Sequence, residues 1–260
     1  MILGKFYGGR LPQAGGVISL VGAGGKTTLM FRIARELAAA GETVLTTTTT
    51  RIYRPEPVQS AQVVVAAEPA AALAQLAHRL RRSRHVTAAA GWIPEAGKLA
   101  GYPPESVAAM RAAGLFRWIL VEADGAAGRP LKAPAAHEPV IPACSGWVIA
   151  VAGMAAVGRP LDARWVFRPE RFGALAGISA GEPVNPEAVA AVLLHPDGIM
   201  KGCPPEAARC VFLNQADLPG AAEAARAVCA ALARSICDPV DRILIGSAAE
   251  NGTVAPAEGC

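Results

Sequence analysis

Lys26 is preceded by Gly22, Gly24 and Gly25 and followed by two hydroxyl residues, Thr27 and Thr28. A cation behind a glycine-rich turn is the residue set that binds a polyphosphate. Glycine removes the Cβ that would block converging backbone amides, and it tolerates positive φ. Lys26 would place an ammonium between the β- and γ-phosphates of a nucleoside triphosphate. Thr27 would offer its hydroxyl to Mg²⁺, while Ala23 and Thr28 complete the loop. The usual spacing, G-x-x-x-x-G-K-S/T, would put its first glycine at Leu20. Gly22 and Gly24 are therefore expected to carry the turn.

Such a loop needs a strand before it and a helix after it. The apolar run Val17–Val21 reads as the strand. Leu29, Met30, Ile33, Ala34, Leu37 and Ala38 recur at helical spacing over 27–40, and Gly41 is a stop signal. The helix N-terminus would add unpaired N–H groups and the positive end of its dipole to the loop.

A second strand, 117–122, is apolar until it exits into acids, Glu122 and Asp124. Nucleotide-hydrolysing folds place a carboxylate there to hold Mg²⁺ or its waters. Residues two apart on a strand face one side, so both acids are candidates for catalysis and for metal binding. Gly125 follows Glu122 by three residues, as in the D-x-x-G element whose glycine amide senses the γ-phosphate. On that alignment Glu122 is the acid. On the other, slightly favoured because it lies nearer the strand tip, it is Asp124.

The strand 209–213 ends in Asn214, Gln215, Ala216 and Asp217. This is the pattern of N-K-x-D, with Gln215 in the lysine place. Guanine presents N1–H and N2–H₂ side by side, and one carboxylate can accept both. Adenine lacks that donor pair, so Asp217 predicts GTP over ATP. Asn214 would tie the base loop to the phosphate loop, and the Gln215 stem would cover one face of the base. A further strand, 242–246, ends in Gly246, Ser247 and Ala248, like the short loop whose amide meets guanine O6.

These segments together resemble the YqeC family. The resemblance rests on Val21–Thr28, Thr46–Thr50 with Arg51 and Ile52, Val121–Gly125, Pro130–Pro134 and His137–Pro142. It continues through Gly181–Pro183, Lys201, Gly202, Pro204 and Asn214–Asp217. Arg51 and Gln215 stand where the family pattern more often carries Lys. The resemblance implies a cytoplasmic bacterial accessory protein in the maturation of selenium-dependent molybdenum hydroxylases. A hydroxylase client or a molybdopterin-type cofactor would then be a partner.

The 260 residues suffice for one large domain, and 52% hydrophobic with 18% charged content argues against disorder. Net charge is only +4, and Arg79, Arg81, Arg82 and Arg84 read as a solvated helix end, so no nucleic-acid partner is expected. No apolar run reaches the length of a membrane span. Six cysteines without a C-x-x-C pair predict reduced thiols, with Cys229 in the core and Cys144 near the acidic loop.

Strand-like segments at 17–21, 43–46, 62–66, 85–89, 117–122, 146–151, 209–213 and 242–246 alternate with helical ones at 27–40, 69–82, 104–113, 187–194 and 220–234. The alternation predicts a P-loop NTPase-like α/β three-layer sandwich, with a mostly parallel sheet and helices on both faces. Residues 1–260 are expected to form a single domain, with a loop-rich stretch over about 125–205 at the ligand edge. Thr46–Thr50 leave the second strand beside the loop, and Thr48 is a candidate metal ligand. Lys132, between Pro130 and Pro134, is expected to contact an anion. His137 and Glu138 read as structural hydrogen-bonding residues. A Mg²⁺-dependent nucleotide-hydrolysing protein is the leading expectation. A transferase with its acceptor near Lys132 and His137, and a non-catalytic cofactor carrier, are the alternatives.

Overall fold

The computed structural model describes residues 1–8, 12–234, 240–249 and 251–257. Helix α1 (Ile2–Phe6) precedes strand β1 (Gly16–Gly22) and helix α2 (Lys26–Ala39). Then come β2 (Val44–Thr48), β3 (Arg51–Tyr53), β4 (Val63–Val65), α3 (Pro69–Arg79) and β5 (His85–Ala89). Next are β6 (Gly91–Ile93), β7 (Lys98–Ala100), α4 (Pro104–Ala112), β8 (Trp118–Glu122), β9 (Leu131–Lys132) and β10 (Trp147–Gly153). The chain continues through β11 (Val166–Phe167), α5 (Pro169–Ala176), α6 (Pro186–Leu194), β12 (Ala208–Asn214), α7 (Ala221–Ala233), β13 (Arg242–Gly246) and β14 (Val254–Pro256).

Nine strands make one sheet in the order β14-β13-β12-β10-β1-β8-β2-β5-β4. Every neighbouring pair is parallel except β13 with β14. Parallel pairing brings the C-terminal ends of the strands to one edge, where an open sheet of this kind binds its ligands. β8 pairs directly with β1, with Glu122 opposite Leu20. β12 follows one strand further, with Asn214 opposite Gly153 of β10.

Alternating apolar residues explain the layers. Val17 and Val21 of β1 face one side of the sheet, while Ile18 and Leu20 face the other, where they pack with α1 and α2. β10 and β12 repeat the division: Val148, Ala150, Val211 and Leu213 meet α6 and α7, and Ile149, Val151 and Phe212 meet the α1–α2 layer. On the α6–α7 side the other half of the sheet is covered by α3 and α4, through Leu76, Val107 and Met110. A strand buried on both faces has no polar side, which is why these runs are continuously apolar.

All eight strands and five helices expected from the sequence are present. Not anticipated were α1, α5, the edge strand β14, the pair β9–β11 and the antiparallel unit β3-β7-β6. Among the cysteines, Cys144, Cys203 and Cys210 are free thiols. Cys229 is buried in the core as expected but is disulfide-bonded, which corrects the reading of it as reduced. Cys237 and Cys260 lie outside the described residues. No helix of the described residues is long and apolar enough to cross a membrane.

Candidate functional site

Gly22, Gly24 and Gly25 all have left-handed φ, at 91°, 79° and 116°. The neighbourhood is as restrictive as the backbone. A Cβ on Gly24 would lie 2.5 Å from the Gly153 backbone, and one on Gly25 would overlap the Asn214 amide. The turn is therefore glycine-dependent twice over, by φ and by space. Gly25 is the N-cap of α2 and makes no side-chain cap bond, so the first-turn amides of that helix have no side-chain acceptor from the cap.

Lys26 is almost fully buried at the head of α2. Its ammonium donates to the Gly22 carbonyl at 2.6 Å. It also lies 3.1 Å from Asp124 Oδ1 and 3.9 Å from Glu122 Oε1. Burial alone would lower its pKa, but the carboxylates of Asp124 and Glu122 outweigh burial and the net shift is upward. Both acids thus reach one ammonium, as their two-residue spacing implies. They then diverge. Glu122 Oε2 accepts from the Thr27 hydroxyl at 2.6 Å. Burial pushes the Glu122 carboxyl up, offset only in part by Lys26 and Thr27. Asp124 is fully buried and accepts from the Gly22 amide at 3.0 Å.

Lys132 closes the network from behind. Its buried ammonium lies 3.0 Å from Asp124 Oδ2, donates to Glu138 Oε2 at 2.8 Å and to the Gly125 carbonyl at 2.6 Å. Glu138 in turn meets the Arg168 guanidinium at 2.8 and 3.2 Å, in a two-pronged pairing. Burial raises the Glu138 carboxyl, but hydrogen bonds from Arg168 and Lys132 overcome it and hold it down at about 2. Three cations, Lys26, Lys132 and Arg168, thus link with three carboxylates, Glu122, Asp124 and Glu138. A buried charge is tolerable only when so compensated. Arg168 escaped the sequence reading; it starts α5 from a left-handed backbone and lies over the Phe167 ring. Its only sequence cue was a basic residue immediately before the proline of a helix start.

Asn214 joins three segments. Its Nδ2 donates to the Gly24 carbonyl at 2.6 Å, and its Oδ1 accepts from the Ala248 amide at 2.7 Å. The phosphate-type loop, the tip of β12 and the turn after β13 are thereby one unit. Arg32 of α2 reinforces it by donating to the carbonyls of Ser247 and Gly252 at 2.8 and 2.9 Å. The Ser247 amide donates to Thr253. Gln215 has φ of 66° and accepts from the Ala155 amide at 3.3 Å, so its side chain lies against the exit of β10. Asp217 is exposed and has no side-chain partner among the described residues.

The threonine run is turned inward. Thr46 bonds His85 and Thr87 at 2.9 and 2.7 Å, and Thr47 donates to the Ala88 carbonyl at 2.9 Å. Thr48 donates to the Glu122 carbonyl at 2.7 Å and accepts from the Thr50 amide at 3.0 Å. These bonds fix β2 and the following turn against the acidic strand tip. The Cys144 thiol is half-buried, and burial pushes its pKa up, which disfavours a reactive thiolate. His137 is exposed.

The profile of the YqeC family, described as YqeC protein, matches residues 18–170, which include the loop, both acids, Lys132, Glu138 and Arg168. The chain belongs to the YqeC family. It is 37% identical over 199 residues to the uncharacterized protein YqeC of Escherichia coli (strain K12), covering 76% of this chain and 75% of that one. Among solved structures, the signal recognition particle 54 kDa protein of Aeropyrum pernix K1 in complex with GDP is 15% identical with a TM-score of 0.40. That match covers 95% of this YqeC-family chain and 45% of the other. FtsY of Mycoplasma mycoides is 13% identical with a TM-score of 0.38, covering 94% of this chain and 66% of the other. This chain thus spans less than two thirds of either structure's length.

Proposed function

We propose that this YqeC-family protein binds a nucleoside triphosphate with Mg²⁺ through residues 22–28 and hydrolyses it slowly. One observation carries the reading. Three left-handed glycines lead into a helix whose first residue, Lys26, meets two carboxylates from the neighbouring strand tip. The ammonium contacts the Gly22 carbonyl and Asp124; phosphate oxygens would compete for it there. The Gly24 amide donates to the Arg129 carbonyl at 3.0 Å, so the amides of Gly25 to Thr28, with the Lys26 ammonium, would then stabilise charge on the transferring phosphoryl group.

The donors present suit Mg²⁺, a hard cation that takes oxygen ligands and keeps waters. Thr27 Oγ1 and Glu122 Oε2 already lie together at 2.6 Å. Among the described residues no cluster of three or more His, Cys, Asp or Glu could hold a metal unaided. Thr27, one acid, waters and phosphate oxygens would make up the shell. When bound, the ion would neutralise charge between the phosphates. The contact with Thr27 favours Glu122 as the metal-shell acid. Asp124, held by Gly22, Lys26 and Lys132, positions the loop. Thr48 would act through its bond to the Glu122 carbonyl, and Gly125 would stand near the γ-phosphate.

Asp217, exposed at the end of the loop that Asn214 anchors, would accept the guanine donor pair and select GTP over ATP. Gln215, Ser247 and Ala248 would frame the base. The accessory role in maturing a selenium-dependent molybdenum hydroxylase rests on the family resemblance alone. GTP labelled in the γ-phosphate tests the chemistry. Mg²⁺-dependent release of label as free phosphate, lost in Lys26→Ala and Glu122→Gln, is the expected result. Label on a small acceptor would mean transfer instead, and no turnover in any form would overturn the hydrolytic reading.

A further inference from the structure

Beside the phosphate-type loop lies a cleft of about 200 Å³. Its lining includes Thr28 and Phe31 from α2, Ala248 from the turn after β13, and Glu56, Val58 and Gln59 from the segment after β3. Two features set its position. Thr28 is two residues past Lys26 in the first turn of α2. The Ala248 amide is held by Asn214, which also holds the Gly24 carbonyl. The cleft therefore runs along α2 from its first turn and is braced by the same hydrogen-bonded unit.

Its size and walls narrow the ligand. Pockets that enclose a whole ligand usually measure about 300–1,000 Å³. About 200 Å³ admits one ring system and leaves an attached phosphate chain outside, towards Thr28. Phe31 is buried at 4% exposure, whereas Val58 is 69% exposed. Val58 thus offers an unused apolar wall to whatever enters. The rim is polar: Glu56 is exposed, and its backbone amide donates to the Gln59 side chain at 3.0 Å, which shapes the turn. Arg32 and Arg35 of α2 also line it, and Arg32 is committed to the 247–252 turn and to Glu36. A mixed lining, with Val58 and Phe31 as apolar faces and charged and amide groups around them, fits a planar heterocycle with polar edges.

We infer that this cleft seats the base of the bound nucleotide, with Val58 covering one face of the ring. The inference rests on the phosphate-loop reading and adds to it a segment, residues 56–59, that no nucleotide motif marks. Ala248 is the wall opposite residues 56–59, so the ring would lie between the 56–59 turn and the turn after β13, whose amide Asn214 holds. The segment after β3 then closes the nucleoside end of the site, and its removal would leave phosphate binding intact.

Calorimetric titration of the full chain with GTP and with inorganic tripolyphosphate, both in Mg²⁺, separates the two readings. Val58→Ser is an exposed, uncharged change that leaves the core untouched. Losing an apolar contact of this size is expected to weaken GTP about fivefold or more and to leave tripolyphosphate unchanged. Leu218→Ser, an exposed change outside the lining of the cleft, should change neither. The inference is overturned if Val58→Ser leaves GTP binding intact, if it weakens both ligands alike, or if Leu218→Ser carries the loss. Should wild type bind neither ligand, the phosphate-loop reading fails and this one falls with it.

Discussion

Replacing Lys132 with methionine removes the middle cation of the buried charge chain while keeping much of the stem volume. In the native protein three ammonium or guanidinium groups balance three carboxylates. In the variant Asp124 and Glu138 share one fewer counter-charge, and the Gly125 carbonyl loses its donor. Breaking a buried pair on one side costs about 3–5 kcal/mol. For a chain of this size each kcal/mol lowers Tm by about 2–4 °C, so the expected fall is roughly 6–20 °C. Thermal unfolding followed by circular dichroism at pH 7 reads it, with the exposed Arg84→Met as a control that stays within about 0.5 kcal/mol. Lys132→Met with Glu138→Gln restores the charge balance and should recover part of the loss as a coupling energy. A shift under about 2 °C for Lys132→Met, or simple additivity in the double variant, would refute the idea that these charges depend on one another.

Two other outcomes follow from the same geometry. Asn214→Asp keeps the acceptor for Ala248 but sets a carboxylate oxygen against the Gly24 carbonyl, where a bond of 2.6 Å now lies. It should cost about 1–3 kcal/mol in urea unfolding, whereas the exposed Asp217→Asn should cost almost nothing. Burial holds the His85 imidazole down at about 4, below its ordinary 6.5. The unfolded chain therefore binds the proton first, and stability that is full above pH 6.5 is lost as pH falls towards 4. The loss between pH 7.5 and 5 should be about 2 kcal/mol by urea denaturation, and His85→Gln should remove it.

The loop, its strand and its helix were legible because each has its own signal: glycines with a lysine, a continuous apolar run, and a 3.6-residue period. The acids at 122 and 124 were legible from their place at a strand exit. Lys132 and Glu138 were legible as an anion contact and a hydrogen-bonding residue, but their pairing with these acids, and Arg168, were not. Lys132, Glu138 and Arg168 sit in short, proline-flanked segments, and strands of two residues such as β9 and β11 carry no period. Arg32 reads in sequence as a surface helix residue, yet it fastens a turn more than two hundred positions away. The threonine run announced hydroxyls near the loop but not their direction. The alternation along β2 sends Thr46 and Thr47 to different partners on β5, and Thr48 to the end of β8.

The amides of Gly22, Ala23 and Gly24 are taken within the protein, so the central claim is that the amides of residues 25–28 and the Lys26 ammonium form one polyanion site. Isothermal titration of the wild-type chain and Lys26→Ala with GTP in Mg²⁺ tests it most directly. The account predicts one saturable site in the wild type and none in the variant. Equal binding by the two proteins, or no heat from either together with no protection of the loop amides from hydrogen exchange, would contradict it.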